Sequence, residues 1–97
     1  MVYKLVYKPY AERDIWEIAA YLSDYSVSAA QSFLNNLKEK IEALSEMPLR
    51  FPKIISHQEY RKMPVDKYVV VYLVDERQNR VLIIRVVYGR RNYQDSI

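Results

Sequence analysis

From Val81 to Tyr88 the chain reads VLIIRVVY, apolar at every position except Arg85. A half-exposed strand alternates apolar and polar residues, so a run this dense predicts a central strand covered on both faces. The run ends at Gly89, the single glycine in 97 residues. A glycine used once is placed where the backbone demands it. Its simplest role here is a positive-φ turn that aims Arg90, Arg91 and Tyr93 away from the strand.

The other elements follow from periodicity. Val2 to Tyr7 is rich in β-formers and predicts a first strand ending at Lys8-Pro9, where proline begins a helix. Ala11, Ile15, Ile18 and Leu22 form one apolar stripe flanked by Trp16 and Tyr21, with Glu12, Asp14 and Glu17 on the outer side. After a break at Ser26-Val27, Ser28 and Gln31 have capping-box spacing for a second helix. Its apolar positions Ala30, Phe33, Leu34, Leu37, Ile41 and Leu44 repeat until Met47-Pro48. So short a connection predicts an antiparallel helical hairpin laid on a sheet. Leu49 to His57, with Pro52 and no period, reads as a loop. Tyr60 to Met63 reads as a short strand and Tyr68 to Val74 as a longer one, joined to the last strand by a turn at Asp75 to Asn79. The expected fold is α+β, a single domain over residues 1–97. An N-terminal strand, a two-helix hairpin and three mostly antiparallel strands form one sheet with the helices on one face.

Composition narrows the function. Half the residues are apolar and about a quarter are charged, as in a folded globular chain. Cysteine is absent, which removes disulfides, thiolate nucleophiles and cysteine metal sites. Met1 leads directly into a strand-like segment and no apolar run reaches membrane-spanning length, so a cytoplasmic protein without a membrane partner is expected. Residues 1–48 hold five Lys or Arg against seven Asp or Glu, a net −2, whereas residues 49–97 hold ten against five, a net +5. An anionic partner, nucleic acid or acidic peptide, would be drawn to the second half.

That half also holds the candidate site residues. Arg85 interrupts an apolar strand, sharing by alternation the face of Val81, Ile83 and Val87. It requires either a carboxylate such as Asp66 or Asp75, or an open face on which it helps bind an anion. Arg90, Arg91 and Tyr93 follow the strand end, either as a mounted binding group or as a solvated basic tail. Arg61 and Lys62 beside Tyr60, and Lys67 beside Tyr68, interleave cations with aromatics as single-stranded nucleic-acid surfaces do. His57 is the only histidine, so a histidine pair for zinc is excluded and a triad has no spare base. With one glycine, no phosphate or dinucleotide loop can form. No metal and no cofactor are expected.

Several segments together resemble the RelE/ParE superfamily of type II toxin-antitoxin toxins: AERDIWEIAAYL, AAQSFLNNLKEKIEAL followed by MP, YRKMPVDKYVVVYLVDE, and VLIIRVVYGRRNY. The resemblance spans nearly the whole chain. It implies a growth inhibitor held inactive by a cognate antitoxin, and it leaves the mechanism open. RelE-like members cut mRNA on the ribosome without a metal, the 2′-hydroxyl attacking the adjacent phosphate while basic groups stabilise the anionic transition state. ParE-like members inhibit DNA gyrase and are not nucleases. A degenerate toxin that only binds antitoxin is a third reading. For a nuclease, the resemblance makes Arg91 and Arg61 the transition-state stabilisers and Tyr88 or Tyr93 the proton-transfer or stacking groups. Lys62, Lys67, Arg85 and Arg90 would then contact RNA. Two positions depart from the nuclease pattern: Val69 follows Tyr68 where an arginine is usual, and a tail tyrosine would fall near Ile97. The apolar strand edges and basic second half are a natural dock for an acidic, amphipathic antitoxin segment.

Overall fold

The computed structural model describes residues 2–90, which form β1 (Lys4–Tyr7), α1 (Pro9–Ser23), α2 (Val27–Ala43), β2 (Lys53–Ile54), β3 (His57–Val65), β4 (Tyr68–Asp75) and β5 (Arg80–Tyr88). Among the described residues the strands make one five-stranded sheet in the order β1-β5-β4-β3-β2. β1 runs parallel to β5, and the other pairs are antiparallel. The expected α+β fold is therefore present, with β5 inside the sheet. The stretch expected to be a loop contains β2 and the start of β3, because backbone pairing such as Lys53 with Arg61 supplies order that side-chain periodicity does not reveal.

The helices form where the sequence provides starts and stripes. Pro9 opens α1 with its fixed φ and without a side-chain cap. α2 is capped by Ser26, not Ser28: Ser26 is extended and its Oγ accepts from the Ala29 N–H at 3.2 Å. α2 also stops at Ala43, where the Leu44 N–H turns back to the Ile41 carbonyl. One apolar core joins Ala11, Phe33, Leu37, Ile41 and Leu44 of the hairpin and its C-terminal end to Met63, Val65, Val70, Tyr72, Val81, Ile83 and Val86 of the sheet. Ile15, Ile18 and Leu22 pack against this core half-buried. Trp16 does not flank the stripe: it is 78% exposed.

A bulge in β5 changes which side chains face that core. Val71 pairs with Arg85 but Tyr72 pairs with Ile83, so Ile84 is an extra residue with no partner on β4. The core set consequently runs Val81, Ile83, Val86, and simple alternation fails across Ile84 and Arg85. Arg85 and Val87 do not share the face of Val81 and Ile83.

The turns need left-handed residues, and the chain supplies Asp66 and Asn79, both at φ 53. Short polar side chains tolerate this region better than any residue but glycine. Asp66 is held by the Asn36 amide at 2.8 Å. At the other turn Asp75 accepts from the Gln78 N–H at 3.2 Å and pairs with Arg80 at 3.1 Å. The Arg80 hydrogen bond is the main reason that the Asp75 carboxyl lies below the ordinary carboxylate range.

Tyr72 ties the core to the segment after α2. It is fully buried and its hydroxyl donates to the Pro48 carbonyl at 2.7 Å. Tyr72→Phe should destabilise the fold by about 1 kcal/mol and lower the melting temperature by roughly 5 °C, read by thermal unfolding. For Asp75 the depressed pKa means that its stabilisation is present above the unfolded value of about 3.9 and is lost as pH falls through the lower folded value. Asp75→Asn should therefore flatten the acid limb of melting temperature against pH, most visibly below about pH 4.

Candidate functional site

β1 ends at Tyr7, opposite Ile83, and the chain turns into α1 while β5 continues to Tyr88. Among the described residues no strand pairs with β5 on that side beyond Ile83. Asp14 of α1 completes this edge. Its Oδ2 accepts the Val86 N–H at 2.9 Å and Arg85 Nε at 2.7 Å, and its Oδ1 accepts Arg85 Nη2 at 3.0 Å. The Arg85 guanidinium also stands 5.8 Å from the centroid of the Tyr10 ring. The fork to Asp14 raises the Arg85 pKa further, chiefly by hydrogen bonding. The expected partner, Asp66 or Asp75, is replaced by Asp14, because α1 and not a neighbouring turn crosses the β5 edge. Asp14 lies on the shoulder of the apolar stripe, one residue before Ile15 and four before Ile18. Glu17 holds the same position before Ile18, so the sequence carries no signal that selects Asp14.

Beside this joint a groove of about 890 Å³ opens between the helical hairpin and the ends of β4 and β5. Tyr21, Leu22, Phe33, Tyr68 and Tyr88 supply much of its wall. Tyr68 meets Phe33 edge-on at 5.0 Å and Tyr88 at 5.9 Å, so the three rings form a ladder. Tyr21 meets Tyr25 at 5.2 Å on the rim. Burial, and then Tyr88, push the Tyr68 phenol up. The hydrogen bond with Tyr25 is the main cause that raises Tyr21. Neither phenol is shifted toward the neutral range in which it would accept a proton.

Gly89 follows Tyr88 at the end of β5, and its role differs from the expected one. It has no positive φ. Its N–H donates to the Lys67 carbonyl at 2.8 Å, and a Cβ there would lie 3.1 Å from that oxygen and 3.3 Å from Val69 Cγ2. Close backbone approach is thus what favours glycine here. Lys67 and Arg90 are exposed on either side. Arg91 and Tyr93 lie outside the described residues.

Arg61 is held elsewhere. Its Nη1 donates to the Phe51 carbonyl at 2.7 Å and makes a long 3.5 Å contact with that of Leu49. Arg61 pairs with Tyr72, whereas Tyr88 pairs with Tyr68, four residues and about 13 Å away along β4. Lys62 pairs with Val71 on the opposite face from Arg61. The fold therefore gathers Lys67, Tyr88 and Arg90 at one end of the sheet, sets Arg85 and Lys62 in one row on either side of Val71, and leaves Arg61 one residue further from that end. His57 Nδ1 lies 2.9 Å from Ser56 Oγ, and among the described residues no cluster of His, Cys, Asp or Glu could hold a metal. No helix described here is long and apolar enough to cross a membrane.

The helical hairpin packed on one face of a five-stranded sheet is a fold shared with solved structures of toxin-antitoxin proteins. The chain is similar to the chromosomal ParDE toxin-antitoxin system from P. aeruginosa, with TM-score 0.76 and 13% identity over 90% of this chain and 96% of that one. It is also similar to a double arginine-to-alanine mutant of E. coli toxin RelE in the free state, with TM-score 0.70 and 19% identity over 99% and 93% of the two chains. For the RelBE2 toxin-antitoxin complex from Mycobacterium tuberculosis the values are 0.63 and 21%, over 91% and 99%. No curated protein sequence matches the chain. Residues 5–93 match the sequence model of the ParE toxin of the type II toxin-antitoxin system parDE, and the chain belongs to that family.

The Asp14 joint yields a thermodynamic prediction. Asp14→Ala removes three hydrogen bonds at a half-buried site and should destabilise by about 2 kcal/mol or more, whereas Asp14→Ala with Arg85→Met should lose less than the sum of the single changes. A double-mutant cycle by denaturant unfolding measures the coupling.

Proposed function

We propose that this chain is the growth-arresting toxin of a type II toxin-antitoxin pair, held inactive by an antitoxin encoded beside it, and that it acts in the ParE manner, by binding DNA gyrase. No covalent step is required of it. The antitoxin partner is supported by the family and by similar structures that are themselves toxin-antitoxin systems. One observation carries the choice of mechanism. Metal-free RNA cleavage needs a base, an acid and phosphate-stabilising donors within hydrogen-bond reach of one phosphate. Among the described residues, the guanidinium of Arg61 is engaged with loop carbonyls and lies about 13 Å of strand from the Tyr68–Tyr88 pair, and Arg85 forks onto Asp14. At the strand position next to Tyr68, aliphatic Val69 packs beside Gly89.

Ribosome-dependent mRNA cleavage is the second reading. It is favoured by the convergence of Lys67, Tyr88 and Arg90 where Arg91 and Tyr93 begin. Two assays separate the readings. Purified toxin should inhibit gyrase supercoiling, and transcripts mapped after induction should show no ribosome-dependent cleavage. Cleavage without gyrase inhibition would reverse the assignment, and Arg91→Ala should then abolish growth arrest while leaving the fold intact. A chain that binds antitoxin but gives neither effect is a degenerate toxin.

A further inference from the structure

Trp16, the only tryptophan of the chain, lies outside the core at 78% exposure. Helical spacing puts it in one row with Glu12, Ala20 and Ser23 on the outer side of α1, and all four are exposed. Ala20 is too small to cover the indole from the next turn. The row ends at Asp24, about 12 Å of helix beyond Trp16. There Tyr25, edge-on to Tyr21 at 5.2 Å, and Val27 carry the exposed surface around the tip of the hairpin.

Single exposed apolar side chains are ordinary, but these are concentrated. Among the described residues the exposed aromatic rings are Tyr10, Trp16, Tyr21 and Tyr25, and all four belong to α1 or the connection that follows it. Tyr10 is engaged with Arg85, which leaves the other three without work in the fold beyond the Tyr21–Tyr25 contact. Interfaces draw most of their affinity from a few such tryptophan and tyrosine anchors. An inhibitor that performs no covalent step exerts its whole effect through a surface of this kind.

The charges limit what that surface can meet. Residues 9–43 hold six Asp or Glu against three Lys or Arg, a net −3 within a chain of net +3. Arg13 is joined to Glu17, whereas Glu12 and Asp24, at the two ends of the row, take part in no ion pair among the described residues. Carboxylates at the margins repel nucleic-acid phosphates and anionic lipid alike. A second copy of this chain, related by a two-fold axis, would set carboxylate against carboxylate.

We propose that this face, from Glu12 through Trp16 to Tyr25 and Val27, is the surface that engages DNA gyrase, an inference that rests on the gyrase reading above. The complementary surface is an apolar recess with lysine or arginine at its margins. The indole enters the recess, Tyr25 and Val27 pack beside it, and Glu12 and Asp24 meet the cations.

The test measures affinity for purified gyrase and inhibition of supercoiling for four chains: wild type, Trp16→Ala, Trp16→Ala with Tyr25→Ala, and Glu12→Gln with Asp24→Asn. Melting temperature and affinity for the antitoxin from the adjoining reading frame are measured alongside. Every altered side chain is exposed, so the variants should melt close to wild type. Trp16→Ala should weaken gyrase binding about tenfold or more, and the double aromatic variant further. The neutralised variant should associate more slowly, with a flatter salt dependence. Folded variants that inhibit gyrase within about twofold of wild type overturn the inference and leave the gyrase reading intact. Loss of antitoxin binding with gyrase inhibition retained overturns it too, and assigns the face to the antitoxin. Failure of the wild-type chain to inhibit gyrase overturns the inference together with the reading beneath it.

Discussion

The Asp14 carboxylate receives three hydrogen bonds from β5, two from Arg85 and one from the Val86 N–H, at the point where β1 leaves the sheet. A β5 longer than its parallel neighbour would otherwise expose an unpaired backbone donor and a guanidinium at the same place. An orphaned buried donor is penalised by its full desolvation, so one carboxylate meeting both needs is more economical than two separate partners. The joint also sets the path of α1. Because Asp14 is fixed to β5, α1 crosses the strand end and α2 returns alongside it, which opens the tyrosine-lined groove between hairpin and sheet.

What could be read from the sequence follows from the range over which each signal acts. The stripe from Ala11 to Leu22 and the α2 positions from Phe33 to Leu44 are local, repeat with the helical period, and locate both helices to within a few residues. β4 and β5 announce themselves by dense β-branched runs. Capping was harder: Ser26 and Ser28 both offer a hydroxyl, and only the extended backbone at Ser26 lets its oxygen meet an N–H. The β5 bulge was not legible, because Ile84 is as apolar as its neighbours and an inserted residue leaves no mark on composition. Simple alternation therefore assigns Arg85 to the wrong face. Gly89 stands out in the sequence without its cause being legible, since a close carbonyl and a positive φ both select glycine.

The candidate site shows the same division. Arg85 was conspicuous as a charge in an apolar strand, but its partner is more than seventy residues away in sequence. No local pattern could choose Asp14 over the other carboxylates of the chain. The tyrosines were equally ambiguous: Tyr68 and Tyr88 share a hairpin register, whereas Phe33 reaches them only through the packing of α2 on the sheet.

Net charge describes this chain poorly until the partners of each cation are known. The second half of the sequence carries a formal +5, yet Arg61 is directed to carbonyls, Arg80 to Asp75 and Arg85 to Asp14. These guanidiniums suit internal work because a planar fork can satisfy two acceptors with little rearrangement. Among the described residues Lys4, Lys8, Lys40, Arg50, Lys53, Lys62, Lys67, Arg77 and Arg90 take part in no ion pair, and they are spread over the surface. Lys4 lies on β1 and Lys62 on β3, while Lys67 and Arg90 border the groove end from which the C-terminal residues continue. Cations dispersed in this way among the described residues make no continuous track for a nucleic-acid backbone.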